Sequence, residues 1–495
     1  MGSRWPGTRG LTPEQLLTAA SPHRLVYVEA LPGSGKTTVS QQRFGLHRFA
    51  RTTDHRAVVA VSFTRSATEE IRSRVLRQWG HSALAWPHRI ITLDTVLNDL
   101  LTHLLRSGYL QWPGGHEELE VLDTWRTRFP TIRTTAKPAL RLVGTQVSTT
   151  YLAEPKPDNY IKPADFATAV HEGRCTHENV REVLHAALGI ERIRAHMTTY
   201  FAMTIRSLLV DEIYDANDLD VEIIRIAAEA GLAVTLVGDP WQALYAFRGA
   251  RPQSVRRLIE LLAFERRELQ TSFRWQDSTD QTTLARRLRR RERVALPAGA
   301  ARDVEVVLAR RWRTLWDGSP HILPLAVKQP SGPFQEAVCT LLLNELTQSS
   351  FGLPAAFLSD ARSTLGMEEA ETFERLRPDL ETALQRLASQ DDLGEVWTAL
   401  TESVVAKTLF EPSESQKRTP RKALGNLRLR LEDADERLVP GLTCHQAKGR
   451  EWDRVGVRLE ESDAAVLREG LDPADETHRS LYVALTRARV RSLAV

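Results

Sequence analysis

The chain has 495 residues, of which 42% are hydrophobic and 26% charged, with a net charge of +3. That is too long for one ordinary core and fits a soluble protein of several domains. No uncharged apolar run is long enough to span a bilayer. The N-terminal MGSRWPGTRGLTPEQ lacks the apolar centre of a signal peptide. Cys175, Cys339 and Cys444 have neither metal-ligand spacing nor an even count, so a reducing, cytoplasmic setting is expected.

In chain order, the apolar run RLVYVEA (24–30) reads as a strand ending at a glycine-rich turn. A second strand, AVVAVSF (57–63), precedes a helix at SATEEIRSRVLRQW (66–79). From 101 to 205 the alternation breaks into prolines, tryptophans and helical patches, which reads as a mainly helical insertion. Strands resume at IRSLLVDE (205–212) and LAVTLVGD (232–239), with a helix at 219–231 between them. Apolar strands alternating with helices predict a parallel sheet covered on both faces. A second α/β lobe is expected over 263–350 and 437–495, with strands near 322–327, 438–445 and 453–459, interrupted by a short helical insertion at 351–436. The first lobe then comprises 1–100 and 206–262. Two basic stretches, 284–294 and 417–431, read either as solvated helix faces or as a track for a phosphate backbone.

The strongest local signal is ALPGSGKTT (30–38). Gly33, Ser34 and Gly35 form a loop whose N–H groups can close around an anion, ahead of Lys36, Thr37 and Thr38. Lys36 is expected on the β- and γ-phosphates of ATP, and the Thr37 hydroxyl on Mg²⁺. LLVDE (208–212) brings Asp211 to a strand end as a second Mg²⁺ contact and Glu212 as the base for the attacking water.

Eight segments now fall into a familiar order: LTPEQ (11–15), ALPGSGKT (30–37), VSFTRSATEEI (61–71), LLVDEIYDAN (208–217), LVGDPWQALYAFRGA (236–250), LQTSFRW (269–275), LTCHQAKGREWDRV (442–455) and LYVALTRAR (481–489). Together they resemble a superfamily 1 DNA helicase of the UvrD/Rep/PcrA type. The resemblance implies two RecA-like lobes, each with an insertion, moving 3′ to 5′ on single-stranded DNA or at a single-strand/duplex junction. It implies that Gln15 reads the adenine edge, Phe273 stacks on adenine and Glu451 contacts the ribose. Gln242 senses the γ-phosphate from the first lobe, and Arg274 and Arg487 reach it from the second. Phe63, Thr64, Tyr245, Phe247, Arg248 and His445 contact the DNA strand. Two positions depart from the family: Tyr214 replaces a glutamine, and Asp94-Thr95 replace a His-Ser pair. Two other roles share this frame. One is the motor subunit of a helicase–nuclease complex, such as an antiphage system of the Gabija type. The other is an ATP-dependent DNA-end sensor without processive movement.

Overall fold

The computed structural model describes residues 10–50, 53–246, 249–327, 332–367, 370–408, 410, 412, 416–432 and 437–495. The chain divides into two units, Met1–Arg274 and Trp275–Val495.

The first unit opens with helix α1 (Pro13–Ala19), capped by Thr12 in a reciprocal box with Gln15. Strand β1 (Leu25–Ala30) leads into helix α2 (Lys36–Arg48), and β2 (Ala57–Ser62) into α3 (Arg65–Trp79). Strand β3 (Arg89–Thr92) leads into α4 (Leu93–Arg106). The inserted region holds β4 (Glu120–Leu122), β5 (Thr131–Val143), β6 (Gln146–Ile161), helix α5 (Pro163–His171), β7 (Arg174–Thr176) and helices α6 (His177–Leu188) and α7 (Glu191–Thr204). The chain then returns through β8 (Ile205–Val210), α8 (Asp218–Glu229), β9 (Ala233–Gly238) and β10 (Glu265–Leu269).

Six of these strands form one parallel sheet in the order β10-β1-β9-β8-β2-β3. Alternate residues of β2 show why both faces are covered. Val59 and Val61 join the cluster built on the leucines of α4, whereas Val58 and Ala60 pack with Phe44, Ile71 and Val75 of α2 and α3. All strands point the same way, so the turns after β1, β8 and β9 gather at one edge. At the opposite edge, arginines meet the carbonyls that end three helices. Arg24 donates to Ala228 O and Leu232 O, Arg43 to Ala19 O and Ser21 O, and Arg206 to His47 O and Arg48 O. Cations there complement the negative helix ends.

Two expectations need correction. The insertion is not mainly helical: β5 and β6 form a long antiparallel hairpin, and β4 pairs with β7. The first lobe also does not end at 262, because β10 pairs with β1 in register Val26↔Glu265 to Ala30↔Leu269. Its sequence, ERREL, is charged because only part of this edge strand is covered.

The second unit has a five-stranded parallel sheet, ordered β12-β13-β11-β14-β15. The strands are β11 (Val306–Ala309), β12 (Ile322–Pro324), β13 (Val439–Thr443), β14 (Trp452–Val457) and β15 (Ala488–Ala494). The expected insertion is helical, with helices Leu358–Thr364, Ala370–Ala388, Leu393–Lys407 and Arg421–Glu432. Their core, including Leu376, Leu380, Trp397 and Leu424, also takes in Phe334 and Leu341 of the helix Pro333–Phe351. Most of that helix falls within the 263–350 segment assigned to the α/β lobe.

The basic stretch 417–431 is largely structural. Arg430 is buried, donates to Trp316 O and Ile322 O, and lies 4.7 Å from the Trp316 ring centroid. The stretch 284–294 stays on the surface, with Arg287 paired to Glu292 and Arg291 to Asp472.

Candidate nucleotide-binding site

The loop between β1 and α2 takes its shape from Gly33 (φ 71°) and Gly35 (φ 85°), both left-handed. Space forbids larger residues as well. A Cβ on Gly33 would lie 2.5 Å from Cβ of Arg274, and one on Gly35 2.5 Å from Nε2 of Gln15. Gly35 caps α2 without a side-chain hydrogen bond, so no N-cap side chain covers the first N–H groups of the helix, which point toward the loop. Thr37 and Thr38 sit half-buried in that first turn. Ser34 is fully buried, and its hydroxyl has no hydrogen-bond partner.

The acids arrive from β8. Asp211 donates its N–H to Val61 O at 2.9 Å, which carries the sheet pattern one residue past the strand. Its carboxyl is buried, and Oδ1 has no hydrogen-bond partner. Burial, and then the neighbouring Glu212 charge, push this carboxyl well above the usual range, while Lys36 pulls it back. Glu212 has a left-handed backbone (φ 54°, ψ 42°), a costly conformation for a residue with a Cβ. Its Oε1 lies 3.1 Å from Lys36 Nζ. The expected Lys36–Asp211–Glu212 group therefore comes together in space. An orphaned buried carboxylate oxygen near a threonine-bearing helix start suits a hard divalent cation, which takes oxygen ligands.

A stability test follows. Asp211→Asn should raise the melting temperature of the metal- and nucleotide-free protein by about 2–4 °C at pH 7.5. The folded state holds this carboxyl at a raised pKa, so its ionised form costs stability as pH climbs through the carboxylate range toward that value. The gain should therefore fade in acid, where the wild-type group is protonated. Thermal melts at both pH values check this, and a lower melting temperature for the variant at pH 7.5 would mean that the carboxylate is satisfied.

On the adenine side, Gln15 is held by backbone of this chain. Both ends of the Gln15 amide are engaged: Oε1 accepts from Thr12 N–H at 3.1 Å, and Nε2 donates to Ser34 O at 2.9 Å. Here Gln15 braces the phosphate loop. Glu14, overlooked in the sequence, accepts from the N–H groups of Gln270 and Thr271 at 3.0 and 2.9 Å. Its only sequence signal is an acid in the first turn of a Thr-Pro-opened helix. Past β10, Ser272 donates to Pro32 O and Phe273 N–H to Gly33 O. Phe273 is 37% exposed. Arg274 closes the first unit, against Gly33, rather than lying in the second lobe as expected.

Gln242 is buried after β9, and its Nε2 donates to Asp239 Oδ2 at 2.8 Å. Tyr245 is half-buried. Phe247 and Arg248 lie outside the described residues. Phe63 is half-buried and leans on the main core, while Thr64 caps α3 by accepting from Ala67 N–H. Asp94 does not face a phosphate track unopposed: it pairs with Arg181 at 2.8 Å, and Arg181 also holds Asp220 at 2.7 Å. Thr95 shares a hydroxyl contact with Thr92.

In the second unit, His445 is half-buried in the short helix Cys444–Ala447 after β13. The neighbouring Cys444 thiol donates to Ala309 O, and burial pushes its pKa up to about 12. Glu451 is exposed, 4.0 Å from Arg489. Arg487 is 1% exposed and donates from Nε to Val483 O. Among the described residues, no helix is long and apolar enough to cross a membrane.

Comparison with known proteins agrees with this layout. Residues 14–248 match the AAA domain family and residues 396–493 the UvrD-like helicase C-terminal domain family. The ATP-dependent DNA helicase Rep of Escherichia coli (strain K12) is 43% identical over 51 residues, covering 10% of this chain and 8% of that protein. DNA helicase II of the same strain is 24% identical over 275 residues, covering 50% of this chain and 36% of the relative. The ATP-dependent DNA helicase UvrD2 of Mycobacterium bovis is 26% identical over 361 residues, 62% of this chain and 49% of the relative. The matched stretches thus span less than half the length of these relatives. With a phosphate loop and acid pair on one parallel sheet, and a later segment that matches the UvrD-like helicase C-terminal domain family, the chain is similar to the UvrD-like superfamily 1 helicases.

Proposed function

We propose that the chain is an ATP-hydrolysing translocase on single-stranded DNA. The observation that carries this reading is the 3.1 Å contact between Lys36 and Glu212, beside the orphaned Asp211 oxygen at the mouth of the phosphate loop. Lys36 binds the β- and γ-phosphates, and the open N–H groups at the start of α2 take up their remaining charge. Glu212, freed from Lys36 as the phosphate takes its place, accepts the proton of the attacking water. The Thr37 hydroxyl and Asp211 would hold Mg²⁺, which would supply neutralisation of phosphate charge. Phe273 stacks on the base, and Gln242, Arg274 and Arg487 respond to the γ-phosphate. Glu451 takes the ribose.

Strand contacts follow the family. Phe63, Thr64, Tyr245, Phe247, Arg248 and His445 are assigned to the DNA, the aromatics stacking on bases without regard to sequence. The direction of travel is 3′ to 5′.

The test is ATP turnover by the purified chain with and without single-stranded oligonucleotide. Turnover should rise at least severalfold with DNA, and Tyr245→Ala should weaken strand affinity about 5- to 100-fold at fixed salt. A rate indifferent to DNA would overturn the translocase reading. Partial duplexes with a 3′ or a 5′ tail then report direction. Strand separation only when a nuclease subunit is added would identify the chain as the motor of a complex.

A further inference from the structure

We propose that Tyr27 and Tyr214 form a positioning pair that sets where Glu212 stands over the phosphate loop. This rests on the hydrolysis reading above. Tyr214 follows Glu212 by two residues and sits in the tight turn Ile213–Asp215. It occupies the place where the family carries glutamine. Its hydroxyl lies 2.8 Å from that of Tyr27 on β1, the strand that becomes the phosphate loop. The rings meet edge to face, 6.3 Å apart and 80° inclined, and both residues are buried.

The hydroxyls form a directed line. Tyr27 can donate onward to Glu29 Oε2 at 3.5 Å, which leaves its oxygen to accept from Tyr214. Glu29 is itself paired with Arg266 of β10. A polar chain thus runs from the acid-bearing turn across β1 to the edge of the sheet. Burial raises both phenols above their ordinary range, so each remains an O–H donor at working pH. The turn can lie this close to the sheet because Gly238 ends β9 there. A Cβ at Gly238 would come within 2.9 Å of Ile213 and 3.0 Å of Tyr214.

The need for such a brace is visible in Glu212. Its left-handed backbone persists only if its surroundings over-determine it. Lys36 holds the side chain from the loop. The tyrosine pair holds the following turn from the strand that feeds the same loop. Loop and base are therefore fixed to one another through β1. Loss of either hydroxyl should let the turn relax and misplace the base, with little effect on the groups that grip the phosphates.

The experiment compares Tyr27→Phe, Tyr214→Phe and the double variant in steady-state ATPase at saturating DNA. Each single change should lower kcat about three- to tenfold, with KM for ATP within about twofold. The double variant should be no worse than the poorer single, because both remove one interaction. Unchanged kcat in both singles, or KM rising together with a drop in melting temperature, would overturn the positioning role. An undetectable wild-type ATPase, or one that persists in Lys36→Ala, would instead overturn the hydrolysis reading and this role with it.

Discussion

Lys36→Ala is expected to lower ATP turnover at least about a hundredfold while the protein stays folded. Three consequences of the site act together. The substitution removes the cation that would meet charge developing on the transferring phosphate. It also removes the partner of Glu212, 3.1 Å away. Finally, it removes a cation that pulls down the Asp211 carboxyl, which is already raised by burial and by Glu212. That carboxyl should rise further and bind Mg²⁺ less well near neutral pH, since a hard cation needs the ionised form. The variant should therefore lose both chemistry and metal–nucleotide affinity. Turnover assays give the first, and nucleotide binding with varied Mg²⁺ gives the second. Thermal melts should show a modest loss of stability at pH 7.5 that narrows in acid, where the carboxyls are neutral. Wild-type turnover in this variant would place hydrolysis elsewhere in the chain.

The parts of the first sheet that carry chemistry were legible because each is a short apolar strand followed at once by unusual residues. Strands expected at 24–30, 57–63, 205–212 and 232–239 appear at Leu25–Ala30, Ala57–Ser62, Ile205–Val210 and Ala233–Gly238. Periodicity failed where strands are not buried on both faces. Strand β10 is charged, and the hairpin strands β5 and β6 carry Pro138, Pro155 and Pro157. Proline argues against a central strand, but it is tolerated in a two-stranded ribbon, where alternate N–H groups face away from the partner. The site was legible in residue identity more than in contact. Lys36, Asp211 and Glu212 converge as their motif implies. The bond from Gln15 to Ser34 O and the bonds from Glu14 to the end of β10 depend on chain separations that no local pattern encodes. The same holds for Asp94, an acid that looked misplaced until Arg181, 87 residues away, supplied its partner. Tyr214 likewise finds Tyr27, 187 residues away. Both departures from the family pattern are matched by side chains of this chain.

Arg181→Ala is expected to cost about 2–4 kcal/mol of folding stability at pH 7.5. Arg181 sits on α6 in the insertion and bridges two acids of the surrounding lobe, Asp94 at the start of α4 and Asp220 in the first turn of α8. Asp94 can turn to water. Asp220 cannot, because it is 1% exposed. One of its oxygens accepts from Asn217 N–H at 3.0 Å and the other from Arg181 at 2.7 Å. Removing the arginine leaves a buried carboxylate with no counter-charge from that side. The pH dependence has a definite sign. Burial already raises the Asp220 carboxyl above its ordinary value despite Arg181. Its ionisation therefore opposes folding as pH climbs from the unfolded carboxylate range to the folded value. Without Arg181 that value moves higher, so the loss should be largest at neutral pH and shrink toward pH 4. Urea melts across this range measure it. Adding Asp220→Asn to Arg181→Ala should recover much of the stability at pH 7.5, because the neutral amide keeps the capping bond without the charge. A loss independent of pH and untouched by Asp220→Asn would mean that Arg181 contributes through packing of its stem on α6 rather than by neutralising Asp220.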